Sequence, residues 1–409
     1  MIVLSGAALV LPDRILTPGI LTIDGDRIVD VRGGSTAGAP GTDVAGSQVL
    51  AFEQHYIVPG FIDVHVHGVE GFDTLDGGNP VAAMAARLPR YGVTAFCPTT
   101  VACAPDALAR MLRDVRLARD APALRSARVL PAHLESNFIS AEFRGAQPLA
   151  CLRSPRAALS RMSPPAHDEG DRFPAADVLA VIDRAAADVG IVTIAPELEG
   201  GLDLVQWIAA HGPRVSLGHS GATFETGLEA IAAGARHATH LFNRMPPLGH
   251  RSPGLAGAVL QSEAIAAEII CDGYHVHPAL VRTAVAAKGP SRIMAITDGT
   301  AVSGLPVGAR ATLGGQPITA GESAAFLSDG TLAGSALTMD RAFQMLVGTM
   351  RLSLVDAATV CATTAARELG LARHGVLARD AIADLVVLDG SLSVVQTYVG
   401  GQLVYSRTA

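Results

Sequence analysis

Between residues 59 and 373 the chain repeats one pattern eight times: a short apolar run, then a longer stretch dominated by alanine and leucine. The runs cover 60–67, 93–99, 128–135, 191–196, 214–219, 237–241, 266–271 and 292–298. Apolar strand-like runs alternating with helical stretches are the signature of repeated βα units on a parallel sheet. Eight units over roughly 300 residues predict an α/β fold of the (β/α)8 TIM-type barrel class. An open doubly wound sheet is the competing arrangement.

The two ends of the chain read differently. Residues 1–58 and 374–409 hold short apolar runs cut by turn chemistry such as Asp24-Gly25-Asp26 and Gly400-Gly401. They are expected to combine into one small composite β-sandwich domain, leaving 59–373 as the barrel domain. The segment 152–174, rich in Pro, Ser, Arg and acidic residues, is longer than most barrel connections and reads as a lid or a surface excursion.

Composition narrows the partners. Hydrophobic residues make up 49% of the 409, only 17% are charged, and the net charge is -7, which excludes a disordered chain and disfavours nucleic acid. No apolar stretch is long enough to span a membrane without a charge or proline. Five cysteines, odd in number, scattered and without a C-x-x-C pair, predict reduced thiols in a cytoplasmic protein. Lys288 is the single lysine, so a lysine-derived metal bridge has one candidate at most.

Most of the eight runs end in a titratable residue, and a barrel gathers such ends at one rim. In Asp63-Val64-His65-Val66-His67 the period of two puts both imidazoles on one face, where they can share a divalent metal or be hydrogen-bonded structure. Glu135, in His133-Leu134-Glu135, can bridge metal ions or cap the segment that follows. His219 and His240 close consecutive runs, and two histidines with one carboxylate leave an open position for water on zinc. Asp298, before Gly299, can turn the chain or move a proton beside a metal. Asn243, Arg244, Arg251, Asp272 and His275 suit an anionic, hydroxyl-rich substrate.

Longer motifs accompany these residues: PGFIDVHVHG at 59–68, HLE at 133–135, TIAPE at 193–197, SLGHS at 216–220, ATHLFNRMPPLGHRSPG at 238–254, DGYHVHP at 272–278, TDG at 297–299 and GTLAGSALTMD at 330–340. With them, the chain resembles the amidohydrolase superfamily and, within it, the N-acetylglucosamine-6-phosphate deacetylase family, over essentially its whole length. The resemblance implies a (β/α)8 barrel with a composite β-sandwich and a divalent metal, Zn2+, as one or two ions. Glu135, His219 and His240 would hold the principal ion, with His65 and His67 at a second position. Asp298 would shuttle the proton and His275 steady the oxyanion.

By the same resemblance Asn243 and Arg251 contact substrate, Arg251 at the phosphate, while Leu332, Ala333 and Gly334 line the sugar pocket. The implied reaction turns N-acetylglucosamine 6-phosphate into glucosamine 6-phosphate and acetate, in a homodimer whose neighbouring subunit lends a phosphate contact. Two places depart from the family's pattern. Ser136-Asn137 follows Glu135 where the family has Gly-Pro, and Ala146-Gln147 stands where it has Ala-His. A glutamine donates a hydrogen bond but carries no charge. These departures keep two other readings open: hydrolysis of a different N-acyl sugar or N-acyl amino acid, and a non-catalytic binding protein on the same barrel.

Overall fold

The computed structural model describes residues 1–34, 48–160 and 173–407. Strand β1 (Phe61–Val66) has all six residues buried and β2 (Val93–Thr100) all eight, as strands covered on both faces must be. β2 pairs in parallel with β1 on one side and on the other with β3 (Ala132–Leu134) and its leading segment Arg128–Val129. Pro131, which has no N–H to give, lies in the break between those two pieces. β4 (Val189–Ile194), β5 (Arg214–Leu217), β6 (His237–Ala238), β7 (Ala266–Ile270) and β8 (Ile293–Ile296) follow in chain order, each parallel to the last.

The sheet then closes. The Asp298 N–H donates to the carbonyl of His65 at 2.9 Å, and Val66 and Gly299 form a parallel bridge. Chain-order strands returning to their start make a barrel, whereas a doubly wound sheet reverses its order at a switch point. The surrounding helices bury one face. In Pro105–Asp120 the buried residues are Leu108, Met111, Leu112 and Val115, a helical stripe that starts after a proline in the first turn.

Two further sheets come from the chain ends, the first from the N-terminal part and the second from both. One is four-stranded, in the order Arg27–Gly33, Gly19–Asp24, Ile2–Ser5, Gln48–Ala51. The other is six-stranded, and in it Leu385–Leu388 pairs antiparallel with Tyr56–Pro59, joining the C-terminal part of the chain to the N-terminal part. Leu4, Leu9, Leu21, Ile57, Leu385 and Tyr398 share one apolar core between them. Asp384 fastens this unit to the barrel: it accepts from Arg128 Nε and Nη2 at 3.2 Å each, from His374 Nδ1 at 3.0 Å and from the Gly400 N–H at 2.6 Å.

A four-stranded antiparallel sheet was not foreseen. Arg310–Leu313, Gln316–Ala320, Ala324–Leu327 and Leu332–Ser335 form it between β8 and the helix Met339–Gly348. Its core is small, with Val101, Val302, Leu313, Ile318 and Ala333 packed together, so its strands carry few large apolar residues to reveal them. The segment 161–172, the middle of the expected 152–174 excursion, lies outside the described residues. No helix among the described residues is long and apolar enough to cross a membrane.

Candidate active site

Parallel strands in register deliver their C-terminal ends to one rim, and there the six expected side chains meet. Glu135 Oε1 lies 2.6 Å from His219 Nε2 and 2.9 Å from His240 Nε2, and the two ring nitrogens are 3.0 Å apart. Beside this trio, His65 Nε2 lies 3.2 Å from His67 Nε2, and both nitrogens are 3.3 Å from Asp298 Oδ1. The other Glu135 oxygen, Oε2, is 3.4 Å from His67 Nε2. One carboxylate thus faces both groups, one oxygen to each. All six side chains are buried.

Three of them sit on turned backbone. His219, His240 and Asp298 have φ of 48°, 30° and 49°, a region that costs a non-glycine residue about 1–3 kcal/mol. Neighbouring bonds hold each turn. His219 Nδ1 bonds the Phe143 carbonyl at 2.8 Å, and the Asn243 N–H donates to the His240 carbonyl at 2.9 Å. The Ser335 N–H donates to the Asp298 carbonyl at 2.8 Å, so the unforeseen sheet is what clamps Asp298. Gly334, at φ 71°, permits that approach, since a Cβ there would lie 2.9 Å from the same carbonyl oxygen.

A second layer of polar groups lies beneath. Glu268, on β7, places Oε2 3.0 Å from His65 Nδ1. His133 Nδ1 bonds the Val64 carbonyl at 3.0 Å, and its Nε2 meets Thr193 Oγ1 at 2.9 Å. Asp63 accepts from Thr297 Oγ1 at 2.6 Å and from the His65 N–H at 3.2 Å, and burial pushes its carboxyl up to about 7. Sequence reasoning missed Glu268, though an acid in the middle of Ala266-Ala267-Glu268-Ile269-Ile270 was a signal.

The electrostatics favour a cation. Burial works against the Glu135 charge, yet the positive field of His219 and bonds from His219, His240 and His67 hold the carboxyl well below its usual range. For Asp298, too, burial is outweighed by His65 and His67, and its carboxyl stays low. Burial takes His65 down to about 3, keeping it neutral. At His67 burial is outweighed by Asp298 and Glu135, which push the ring up to about 10, and at His240 burial is outweighed by Glu135. Carboxylates and imidazoles converging at these distances are the donor set of a divalent ion such as zinc. Two trios, Glu135–His219–His240 and His65–His67–Asp298, each offer three ligand atoms close enough to share one ion.

Above the cluster opens a cleft of about 460 Å³. Of the residues expected to face substrate, Ala146, Gln147, Asn243, Arg244, His275, Leu332 and Gly334 line it, together with Val101, Gly145 and Leu313, which sequence reasoning did not single out as contacts. The other three stand apart from the lining. Asp272 is behind His275, 2.6 Å from its Nδ1, and leaves the buried Nε2 without a bond inside the protein. Ala333 points into the small core of the inserted sheet. Arg251 is exposed on the approach to the helix Gly254–Gln261.

Comparison with known proteins fits this geometry. No family model matches the sequence. The N-acetylglucosamine-6-phosphate deacetylase of Lysinibacillus sphaericus is 35% identical over 349 residues, covering 85% of each chain. The chain belongs to the N-acetylglucosamine-6-phosphate deacetylase family. The human deacetylase is 36% identical over 407 residues, 97% of this chain and 90% of that one. A crystal structure of a Mycobacterium smegmatis deacetylase mutant in complex with N-acetyl-D-glucosamine-6-phosphate superposes with a TM-score of 0.85 at 30% identity, covering 99% of both chains.

Of the residues that depart from the family's pattern, Ser136, Asn137 and Gln147, Gln147 lines the cleft and the other two lie behind its wall. Ser136 Oγ donates to the Thr193 carbonyl at 2.6 Å, and Asn137 Nδ2 to the carbonyls of Cys103 and Cys151 at 2.8 and 2.7 Å. Neither lines the cleft. Lys288 is far from any ligand role, with Nζ on the carbonyls of Val259 and Ser262 at 2.8 and 2.6 Å.

Proposed function

We propose that this deacetylase hydrolyses the acetamide of N-acetylglucosamine 6-phosphate to glucosamine 6-phosphate and acetate. The observation that carries the reading is Asp298, whose carboxylate stands 3.3 Å from both His65 and His67 at the floor of a cleft flanked by His275. Glu135, His219 and His240 would hold the principal ion, which we take to be Zn2+, and His65, His67 and Asp298 would hold a second. The metal would supply Lewis-acid activation of water and of the amide carbonyl.

The protein's own groups do the rest. Asp298 accepts a proton from the attacking water and returns it to the leaving nitrogen, so one carboxylate serves as base and then acid. Asp272 holds the His275 ring at Nδ1, so that Nε2 faces the cleft, where an Nε2–H steadies the carbonyl oxygen as negative charge gathers on it. Asn243, Arg244 and Gln147 orient the sugar, with Ala146, Leu332 and Gly334 closing around it. Residues 59–373 form the catalytic domain, and 1–58 with 374–409 the flanking β-sandwich.

Arg251 is exposed and has no acid partner among the described residues, which supports a homodimer in which it reaches the phosphate in the neighbouring subunit's cleft. Five free thiols support a reducing, cytoplasmic setting in carbohydrate metabolism. The test is acetate release by zinc-loaded protein from N-acetylglucosamine 6-phosphate, paired with unphosphorylated N-acetylglucosamine. Turnover confined to the phosphorylated sugar supports the proposal. Absence of turnover with both, from metal-loaded protein, assigns the neutral Gln147 wall to a different N-acyl substrate.

A further inference from the structure

Glu268 is a wholly buried acid in the middle of an apolar barrel strand. No arginine or lysine pairs with it among the described residues; its neighbours at ion-pair distance are the imidazoles of His65 and His133, both of whose pKa values burial pushes down. Oε2 lies 3.0 Å from His65 Nδ1, while Oε1 has no hydrogen-bond partner. The nearest ring nitrogen to Oε1, His133 Nδ1 at 3.7 Å, already serves the Val64 carbonyl. A carboxylate so placed is costly unless a positive charge lies close by. The side of His65 opposite Glu268 is where such a charge belongs, because Nε2 there faces His67 and Asp298.

We infer that Glu268 is a positioning residue for the His65–His67 metal position. The inference rests on the reading above that this chain binds an ion there. Glu268 accepts the Nδ1–H of His65, which selects the tautomer whose Nε2 carries a lone pair. In the other tautomer Nε2 carries the hydrogen and points it at the ion's place, so the ring cannot act as a ligand. The carboxylate behind the ring also raises the basicity of Nε2 and balances the ion's charge. Glu268 does not line the cleft, and of the Glu135–His219–His240 trio its carboxyl meets only the His240 backbone, whereas it bonds the His65 ring directly, so its influence falls mainly on one of the two positions.

The experiment strips the full-length protein of metal with a chelator and titrates it with Zn2+, reading stoichiometry by elemental analysis and each affinity by competition with a chromophoric chelator. Wild type should take two ions and His65→Asn one. Glu268→Gln, which keeps the size of the side chain but not its charge, should bind the first ion as wild type does and the second about 10- to 100-fold more weakly. Glu268→Asp, which keeps the charge but withdraws it from the ring, should show the same selective loss and covers the case in which the glutamine variant does not fold. A purely structural role would instead lower the melting temperature of the metal-free protein and leave both affinities alone. Two ions bound with wild-type affinity by both Glu268 variants would overturn the positioning role while leaving the two-ion reading intact. A single ion in wild type, unchanged in His65→Asn, would overturn that reading and the inference with it.

Discussion

Gln147 donates its side-chain Nε2–H to Oε2 of Glu135 while its Oε1 accepts the Ala102 N–H at 2.7 Å. Exchanging the amide's two ends would set oxygen against carboxylate and N–H against N–H, so the orientation is fixed. Gln147 therefore commits one Nε2 hydrogen to Glu135 and its oxygen to Ala102, with one Nε2 hydrogen left for the cleft. Gln147→Ala should lower kcat about 10-fold or more, as lost support of a ligand does. Gln147→Glu should do worse, since it brings a second carboxylate against Glu135. Steady-state kinetics alongside metal content would check both.

Removing the proton carrier should separate binding from chemistry. Asp298→Asn is expected to cut kcat by about 10²- to 10⁴-fold with little change in KM. The ion at Glu135, His219 and His240 should remain. A variant that still turned over near the wild-type rate would exclude Asp298 as base.

Gly334 offers an indirect route to the same residue. Its φ of 71° and the 2.9 Å approach of a Cβ to the Asp298 carbonyl mean that Gly334→Ala must move the Asp298 turn. A stability loss of about 1–3 kcal/mol is expected from the backbone alone. The fall in kcat should exceed any rise in KM, as read by thermal melts and kinetics together.

Arg251 makes a prediction about subunits. Arg251→Ala should raise KM for the phosphorylated sugar and leave the metal content unchanged. If Arg251 serves the neighbouring cleft, mixing Arg251→Ala and Asp298→Asn subunits, assayed with substrate far below the raised KM, should restore about a quarter of wild-type activity, because half of the random dimers regain one complete site. No recovery after subunit exchange would place Arg251 in its own chain's site or outside substrate binding.

The Asp384 tie between barrel and β-unit should titrate. Burial works against its charge, but His374 and Arg128 outweigh it and hold the carboxyl below its ordinary value. Its stabilisation is therefore complete above the ordinary carboxylate pKa of about 4 and is lost as pH falls through the lower folded value. Asp384→Asn should cost about 2 kcal/mol at pH 7, a figure reduced because Arg128 is partly exposed. Denaturant melts should show the gap to wild type narrowing below about pH 4.

What the sequence disclosed follows from where the apolar residues lie. Barrel strands such as β1 and β2 are buried on both faces, so their runs were legible, and their polar ends marked His65, His67, Glu135, His219, His240 and Asp298 as one rim. The inserted sheet escaped because its strands mix exposed Arg310 and Pro317 with small residues such as Ala311 and Ala325. Val101 and Leu313 escaped for a related reason, being ordinary apolar residues that only the fold brings to a cleft. Gln147 was singled out for what it lacks, a charge, and its bond to Glu135 across twelve residues of irregular chain left no periodic trace. Asp272 and His275, read as a pair of substrate groups, divide into a cleft-facing ring and the acid behind it.

The left-handed backbone at His219, His240 and Asp298 limits how this site can drift. Among residues with a side chain, histidine, asparagine and aspartate enter that region most readily, and β-branched ones hardly at all. Any lineage that retuned its ion at these three places would draw on a vocabulary of three letters. His65, His67 and Glu135 have no such backbone restriction. Novelty in the metal chemistry of this barrel therefore has its open door on the side of β1 and β3, and a designer seeking a different ion should begin there.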